Sequence, residues 1–189
     1  QRADFAPPPS SQATTGSIHL DAHGYSKTEV GLLWSLGVVA EIVVFMFMAR
    51  LSRRFSLRAI LLACFGAAVV RFLLMGWGVE SAAIMILVQL LHGLTFGAYH
   101  AASIAAVNQW FPGKAQGRGQ ALYSSLSFGA GGLLGALISG WTWESLGSGW
   151  TFTLGALFAL AGFVLVWGWV SANATVDREN RPKTKNPVQ

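Results

Sequence analysis

Four ionisable residues stand within long apolar stretches of the sequence, namely Glu41, Arg71, His92 and His100. A charge at membrane depth costs at least a few kcal/mol, so such residues usually pair or perform a function. Glu41 and Arg71 could form a structural ion pair, or Arg71 could set the pKa of a proton-carrying carboxylate. The two histidines could relay protons, but at about 12 Å apart along one helix they cannot share a metal ion.

The composition indicates a membrane protein. Hydrophobic residues make up 53% of the chain and charged residues 11%, whereas a soluble domain carries about 25% charged residues. The net charge of +5 does not indicate a nucleic-acid partner, because the basic residues fall between the apolar stretches. We therefore expect the lipid bilayer as a partner. We do not expect an enzyme, since the sequence holds no recognisable catalytic motif.

Five apolar stretches are long enough, at about 20 residues or more, to cross a bilayer. They predict an all-α polytopic bundle with helices over residues 29–51, 57–77, 82–111, 119–146 and 150–171. The expected organisation is a polar, flexible segment over residues 1–28, a five-helix transmembrane region over 29–171 and a charged tail over 172–189. Small residues of the fourth helix, including Gly129 and Gly135, predict close helix packing.

Basic and non-basic connections alternate along the chain. The first and third turns and the tail carry Lys or Arg, for example Arg53 and Lys114, whereas the second and fourth turns carry neither. By the positive-inside rule, the basic connections are expected on the cytoplasmic side. This places the N-terminal segment outside and the C-terminus in the cytoplasm of a multi-pass protein of the inner (plasma) membrane.

The ionisable residues fall at similar depths. Glu41 lies about 17 Å into the first helix, and Arg71 lies about 21 Å from the cytoplasmic end of the second. On the third helix, side chains within an arc of about 100° form a polar stripe, made of Gln89, His92, Phe96, Tyr99, His100 and Ser103. Because lipid cannot satisfy polar groups, the stripe is expected to face a cavity or a partner helix.

Three runs of sequence resemble a known family. They are Gly24–Phe45, Val69–Gly76 and Val88–Ala102, and they resemble the C-terminal half of phenylpropionate permeases in the major facilitator superfamily. The resemblance implies that the five helices correspond to the eighth to twelfth of a twelve-helix transporter. Residues before Gly24 are too polar to form the seventh span. We therefore expect a truncated or split gene product that lacks its N-terminal half.

This branch is related to lactose permease and similar proton symporters. The resemblance matches Arg71 and His92 to the proton-coupling positions of that group. The carboxylate that follows the histidine by three residues is replaced by Thr95, so Glu41 is the candidate carboxylate. The sugar-binding acid is replaced by Trp34, which favours an aromatic carboxylate over a sugar.

The predicted function is the C-terminal portion of a proton-coupled symporter for a phenylpropionate-like organic anion. Proton coupling is expected from Glu41, Arg71 and His92, and substrate binding from Trp34, Gln89, Phe96, Tyr99 and His100. No cofactor other than the proton gradient and no metal are expected. Two alternatives remain open: symport of an oligosaccharide or nucleoside, and a non-functional or partner-dependent membrane fragment.

Overall fold

A computed structural model of the protein describes residues 11–179, with side chains over residues 15–168. All elements in the described range are helical, and five helices there are long and apolar enough to cross a membrane. The predicted all-α bundle is therefore confirmed. The helices are α1 Ser11–Ala22, α2 Lys27–Arg54, α3 Leu57–Trp77, α4 Ala82–Trp110, α5 Gly113–Leu146 and α6 Ser148–Glu179.

Two of these helices contain a π-helical segment. In α4 it is Gly93–Ala98, and in α5 it is Ser125–Ala130. A π segment closes its hydrogen bonds from residue i to i+5, so the helix widens and later side chains point in a different direction than in an α-helix. The constant 100° spacing assumed for the third predicted helix therefore fails across Gly93–Ala98.

Capping serines begin the first two long helices. The Ser26 hydroxyl accepts a hydrogen bond from the backbone of Glu29, whose carboxylate accepts one from the backbone of Ser26, forming a capping box. Ser56 accepts a hydrogen bond from the backbone of Ala59 in the same way. Short turns follow each long helix, so consecutive long helices run in opposite directions. We call the two ends of the bundle the Trp77 end and the Arg54 end.

The bundle is packed around two apolar clusters. The cluster near the Trp77 end contains Leu20, Leu33, Met75, Val79, Met85, Val88 and Phe152, and the cluster toward the Arg54 end contains Met48, Ile60, Cys64, Ala98 and Ala102. On α2, α3 and α4 the ionisable residues Glu41, Arg71 and His92 fall between the positions that contribute to these clusters. The middle of the bundle is therefore where its polar groups are concentrated.

Residues 11–22, expected to be part of a flexible segment, are helical. Leu20 and His19 of α1 are completely buried, because α1 packs against α2 and α5. Thr15 Oγ1 of α1 lies 3.4 Å from Ser139 Oγ of α5. The start of the predicted tail also differs, since α6 continues to Glu179. The remainder of both predicted terminal segments, residues 1–10 and 180–189, lies outside the described residues.

The glycines of α5 do not support close helix packing within the described part of the chain. A Cβ atom built at Gly129, Gly132 or Gly135 meets no neighbouring atom within 4 Å. Apolar side chains on the same helix, including Leu133 and Leu137, are mostly exposed. The predicted close packing is therefore not seen at these three glycines among the described residues, although Ser139 on the same helix lies against Thr15 of α1.

Candidate functional site

Two glycines of the α4 π segment bring it into close contact with α2. A Cβ atom at Gly93 would lie 2.6 Å from the carbonyl carbon of Ala40, and one at Gly97 would lie 3.1 Å from Cγ of Glu41. The Gly93 distance is too short for any other residue, so glycine at this position allows the two backbones to approach this closely. At Gly97 a side chain would require Glu41 to shift by a few tenths of an ångström. The crossing places the Glu41 side chain directly against the π segment.

Arg71 reaches the same π segment from α3. Its Nη1 donates a hydrogen bond to Oγ1 of Thr95 at 3.4 Å, and the Thr95 hydroxyl donates to the carbonyl oxygen of His92 at 3.3 Å. Both distances are at the long end of the hydrogen-bond range. Within the described residues, Arg71 forms no ion pair with Glu41. The Glu41–Arg71 ion pair that the sequence left open is therefore absent from the described residues, where the Thr95 hydroxyl accepts from Arg71 instead.

Three buried polar atoms in this region lack a hydrogen-bond partner among the described residues. They are Nε of Arg71, Nδ1 of His92 and Oε1 of Gln89. Buried polar atoms are nearly always satisfied in native proteins, by protein groups or ordered water. We call Glu41, Arg71, Gln89, His92 and Thr95 the polar layer. Its unpaired donors and acceptors could receive water, a proton or a polar group of a ligand.

Four ring side chains form a continuous row beside the polar layer. We call Trp34, His92, Phe96 and His100 the ring ladder. The ring centroids of Trp34 and His92 are 6.3 Å apart, those of His92 and Phe96 are 5.4 Å apart, and those of Phe96 and His100 are 6.3 Å apart. The last two pairs are stacked within 10° of parallel. These four predicted site residues therefore lie together.

The ladder is held at both of its ends. The indole Nε1 of Trp34 donates a hydrogen bond to the hydroxyl of Ser17 on α1 at 3.0 Å. At the other end, the ring of His100 lies 6.2 Å from that of Tyr123 and 6.0 Å from that of Phe128, both on α5. The ladder consequently connects α1, α2, α4 and α5 through the middle of the bundle.

Gln89 and Tyr99, also predicted to bind substrate, do not join the ladder. Gln89 is buried against α2, where its Oε1 would lie 2.9 Å from a Cβ atom at Gly37. Tyr99 faces α3, where its ring meets that of Phe65 at 5.5 Å. Gln89 precedes the π segment and lies beside His92 on the side of α4 that faces α2. Tyr99 follows the segment, which changes the direction of the side chains after it, and the predicted single stripe is therefore broken between them.

His19 is a buried ionisable residue that sequence reasoning missed. Its Nε2 donates a hydrogen bond to the carbonyl oxygen of Met75 at 2.9 Å, and its ring lies 4.9 Å from that of Phe152 and 5.9 Å from that of Trp143. Burial, together with the nearby His23, lowers the pKa of His19, and the Met75 carbonyl opposes this effect. The apolar residues Ile18 and Leu20 on either side of His19 were the sequence signal that could have indicated its burial.

A cleft of about 330 Å³ lies at the Trp77 end of the bundle. It is lined by the last turn of α3 and the turn between α5 and α6, including Trp77, Glu80 and Trp150. None of the predicted coupling or substrate-binding residues lines this cleft. The chemistry of the candidate site therefore belongs to the polar layer and the ring ladder.

Comparisons with known proteins identify a transporter family. Residues 13–154 match the family described as MFS_1 like. The chain is also 38% identical, over 152 residues, to an Escherichia coli (strain K12) protein described as a probable 3-phenylpropionic acid transporter. That alignment covers 76% of this chain but 38% of the relative, so the chain spans well under half the length of the protein it matches. No solved structure matches the chain.

Proposed function

Because the chain belongs to the MFS_1 like family, we propose that it is the C-terminal portion of a secondary transporter, a proton-coupled symporter for an aromatic carboxylate. The observation that carries this proposal is the meeting of Glu41, Arg71 and His92 at the π segment of α4, beside a row of aromatic rings. Ionisable groups kept at membrane depth typically serve ion or substrate pathways. The inner-membrane location, with the N-terminus outside, is part of the same proposal.

In this proposal the polar layer couples the proton to transport. Glu41 carries the proton, since a carboxylate can take up and release one while Arg71 stays charged. His92 lies between the polar layer and the ring ladder, so its imidazole can pass a proton toward a bound anion. Thr95 holds Arg71 without neutralising it, which leaves the positive charge available to attract a carboxylate.

The ring ladder suits the aromatic ring of such a substrate. Trp34 and Phe96 offer flat aromatic surfaces beside His92, and a phenyl ring prefers offset-stacked or edge-to-face contacts with such surfaces. The name of the Escherichia coli relative refers to 3-phenylpropionic acid, which combines a phenyl ring with a carboxylate. We therefore propose a phenylpropionate-like anion as the substrate, in preference to an oligosaccharide or nucleoside.

A second candidate function is that of a membrane fragment that transports only together with a partner protein. No residue in the most apolar stretch of α5 is buried. Phe96 of the ring ladder is exposed as well. Polar groups beside such surfaces would be costly to leave against lipid. We propose that the remaining part of a full transporter, equivalent to its N-terminal half, covers this side of the bundle.

Uptake measurements on a hybrid transporter test these proposals. In the hybrid, this chain replaces the 152-residue matching stretch of the Escherichia coli relative. Reconstituted in liposomes, the hybrid should accumulate labelled 3-phenylpropanoate when an inward proton gradient is imposed, and a protonophore should abolish the accumulation. Gradient-independent uptake would reject proton coupling, whereas uptake of a saccharide or nucleoside instead would select the alternative substrate class. Uptake by the isolated chain would reject the need for a partner.

A further inference from the structure

The two π segments of the protein share a sequence pattern. Residues 94–98 read LTFGA and residues 126–130 read LSFGA, so four of five positions are identical and the fifth is a hydroxyl residue in both. Each five-residue run completes a six-residue π segment, Gly93–Ala98 in α4 and Ser125–Ala130 in α5. The phenylalanine is the fourth residue of the segment in each case. Helices that widen at one turn often do so at functional sites.

The two phenylalanines of this pattern meet at one histidine. The ring of His100 is stacked on Phe96 at 6.3 Å and tilted against Phe128 at 6.0 Å. Tyr123 adds a third ring, 6.2 Å from His100 and 6.3 Å from Phe128. The repeated sequence therefore produces a repeated geometry, in which each π segment presents one ring to the same imidazole. We call Phe96, His100, Tyr123 and Phe128 the aromatic clamp.

The binding surfaces of the clamp are not used by the described part of the protein. Phe96 is 40% exposed and Phe128 is 54% exposed, so both rings retain free surface. Neither the imidazole of His100 nor the hydroxyl of Tyr123 forms a hydrogen bond with a described residue. A ligand that combines a flat ring with a hydrogen-bond acceptor would satisfy both kinds of group at once.

We propose that the aromatic clamp binds the phenyl ring of an aromatic carboxylate against the exposed faces of Phe96 and Phe128, with the carboxylate hydrogen-bonded to His100 and Tyr123, while Arg71 attracts the anion from the neighbouring polar layer. Tyr123 and Phe128 then determine the preference for an aromatic over a saturated acid. This inference rests on the proposed function, and it adds α5 to the substrate site. The sequence predicted helix packing for the small residues of α5, and Gly129, Gly132 and Gly135 make no such contact with a described residue.

A pair of ligands isolates the contribution of the flat ring. 3-Phenylpropanoate and 3-cyclohexylpropanoate carry the same charge and are nearly the same size, but only the first has a planar, aromatic ring. Their affinities are measured by ligand-induced thermal stabilisation of the full chain in lipid nanodiscs and of the hybrid transporter. Loss of ring contacts in Phe128→Leu should weaken binding of 3-phenylpropanoate by about tenfold and leave the saturated acid nearly unchanged.

Two further variants separate recognition from folding. Phe128→Tyr keeps an aromatic ring and should retain the preference, which shows that a loss in Phe128→Leu does not come from misfolding. Phe158→Leu changes an exposed phenylalanine of α6, outside the clamp, and should alter neither affinity. Tyr123→Phe keeps the ring but removes the hydroxyl, so it should weaken binding of both acids by a similar factor.

The outcomes distinguish the clamp from the transport proposal. If the hybrid transports 3-phenylpropanoate and Phe128→Leu binds both acids as the parent does, the clamp is wrong and the function stands. If the parent binds 3-phenylpropanoate with the expected sensitivity to Phe128 but shows no uptake, the clamp stands and the function is wrong. Absence of aromatic binding in both the chain and the hybrid overturns the clamp.

Discussion

The guanidinium of Arg71 donates its hydrogen bond to the hydroxyl of Thr95, across 3.4 Å between α3 and the π segment of α4. Thr95 in turn donates to the carbonyl oxygen of His92. A hydroxyl can hold a guanidinium in place without cancelling its charge, whereas a carboxylate would neutralise it. Within the described part of the chain, the partner of Arg71 on α4 is therefore a hydroxyl and not a carboxylate, and Glu41 lies on another helix, α2.

Removing the Thr95 hydroxyl should destabilise the fold. Thr95→Val keeps the shape of the side chain but leaves the buried Nη1 of Arg71 without this acceptor, which costs about 1–3 kcal/mol in the free energy of unfolding. Thr95→Ser retains the hydroxyl and should lose much less stability. Unfolding in mixed micelles measures both values, and equal stability of Thr95→Val and the parent would show that the hydrogen bond contributes nothing.

Removing the proton carrier should abolish uphill transport by the hybrid. Glu41→Gln keeps the size of the side chain but cannot exchange a proton, and His92→Ala removes the imidazole that joins the polar layer to the ladder. Both variants should lose accumulation driven by the proton gradient. Glu144→Gln, at an exposed position of α5, is the matched control. Unchanged accumulation in both site variants would remove Glu41 and His92 from the coupling role.

The close approach of α2 and α4 depends on Gly93. In Gly93→Ala the new methyl group would lie 2.6 Å from the backbone of Ala40, so the helices must separate. Such overpacking costs about 1–3 kcal/mol in the free energy of unfolding, and it should displace Glu41 from the π segment. Gly132→Ala places a methyl group where no atom lies within 4 Å and should leave stability unchanged. Equal changes in the free energy of unfolding for the two substitutions would contradict the close approach of α2 and α4 at Gly93.

The stability of the bundle should depend on the protonation of His19. Burial holds its pKa below the ordinary value of 6.5, so the unfolded chain takes up a proton at a higher pH than the folded one. The stabilisation is therefore complete above pH 6.5 and is lost as the pH falls from 6.5 through the lowered folded pKa. The thermal unfolding midpoint, followed between pH 7.5 and 5, should decrease on acidification.

The side chain responsible can be identified by substitution. His19→Gln can still donate to the Met75 carbonyl but does not titrate, so the unfolding midpoint should vary less with pH than in the parent. His23→Gln removes an exposed neighbour whose charge is a smaller cause of the shift, and it should keep most of the dependence. A pH profile of His19→Gln identical to that of the parent would contradict the assignment.

The sequence by itself determined the spans and the identity of the central groups. Long apolar stretches have one low-energy arrangement in a bilayer, because only continuous helices or closed barrels satisfy the backbone there. The five helices could therefore be predicted, with both ends correct for Leu57–Trp77. The ends were less accurate elsewhere, since α5 begins at Gly113 and α6 continues to Glu179. The same cost of buried charge identified Glu41, Arg71, His92 and His100 as residues of interest before any contact was known.

The tertiary structure decided which of these groups meet. Whether Arg71 faces Glu41 or Thr95 depends on helix rotation, and no periodic pattern could anticipate the π segments that rotate the second half of α4. The segment of α4 is followed by Tyr99, which faces Phe65 of α3, and the segment of α5 carries Phe128, whose ring lies 6.0 Å from that of His100. Helix formation follows from local energetics along the chain, but the direction of each side chain follows from packing between helices, which only the folded protein specifies.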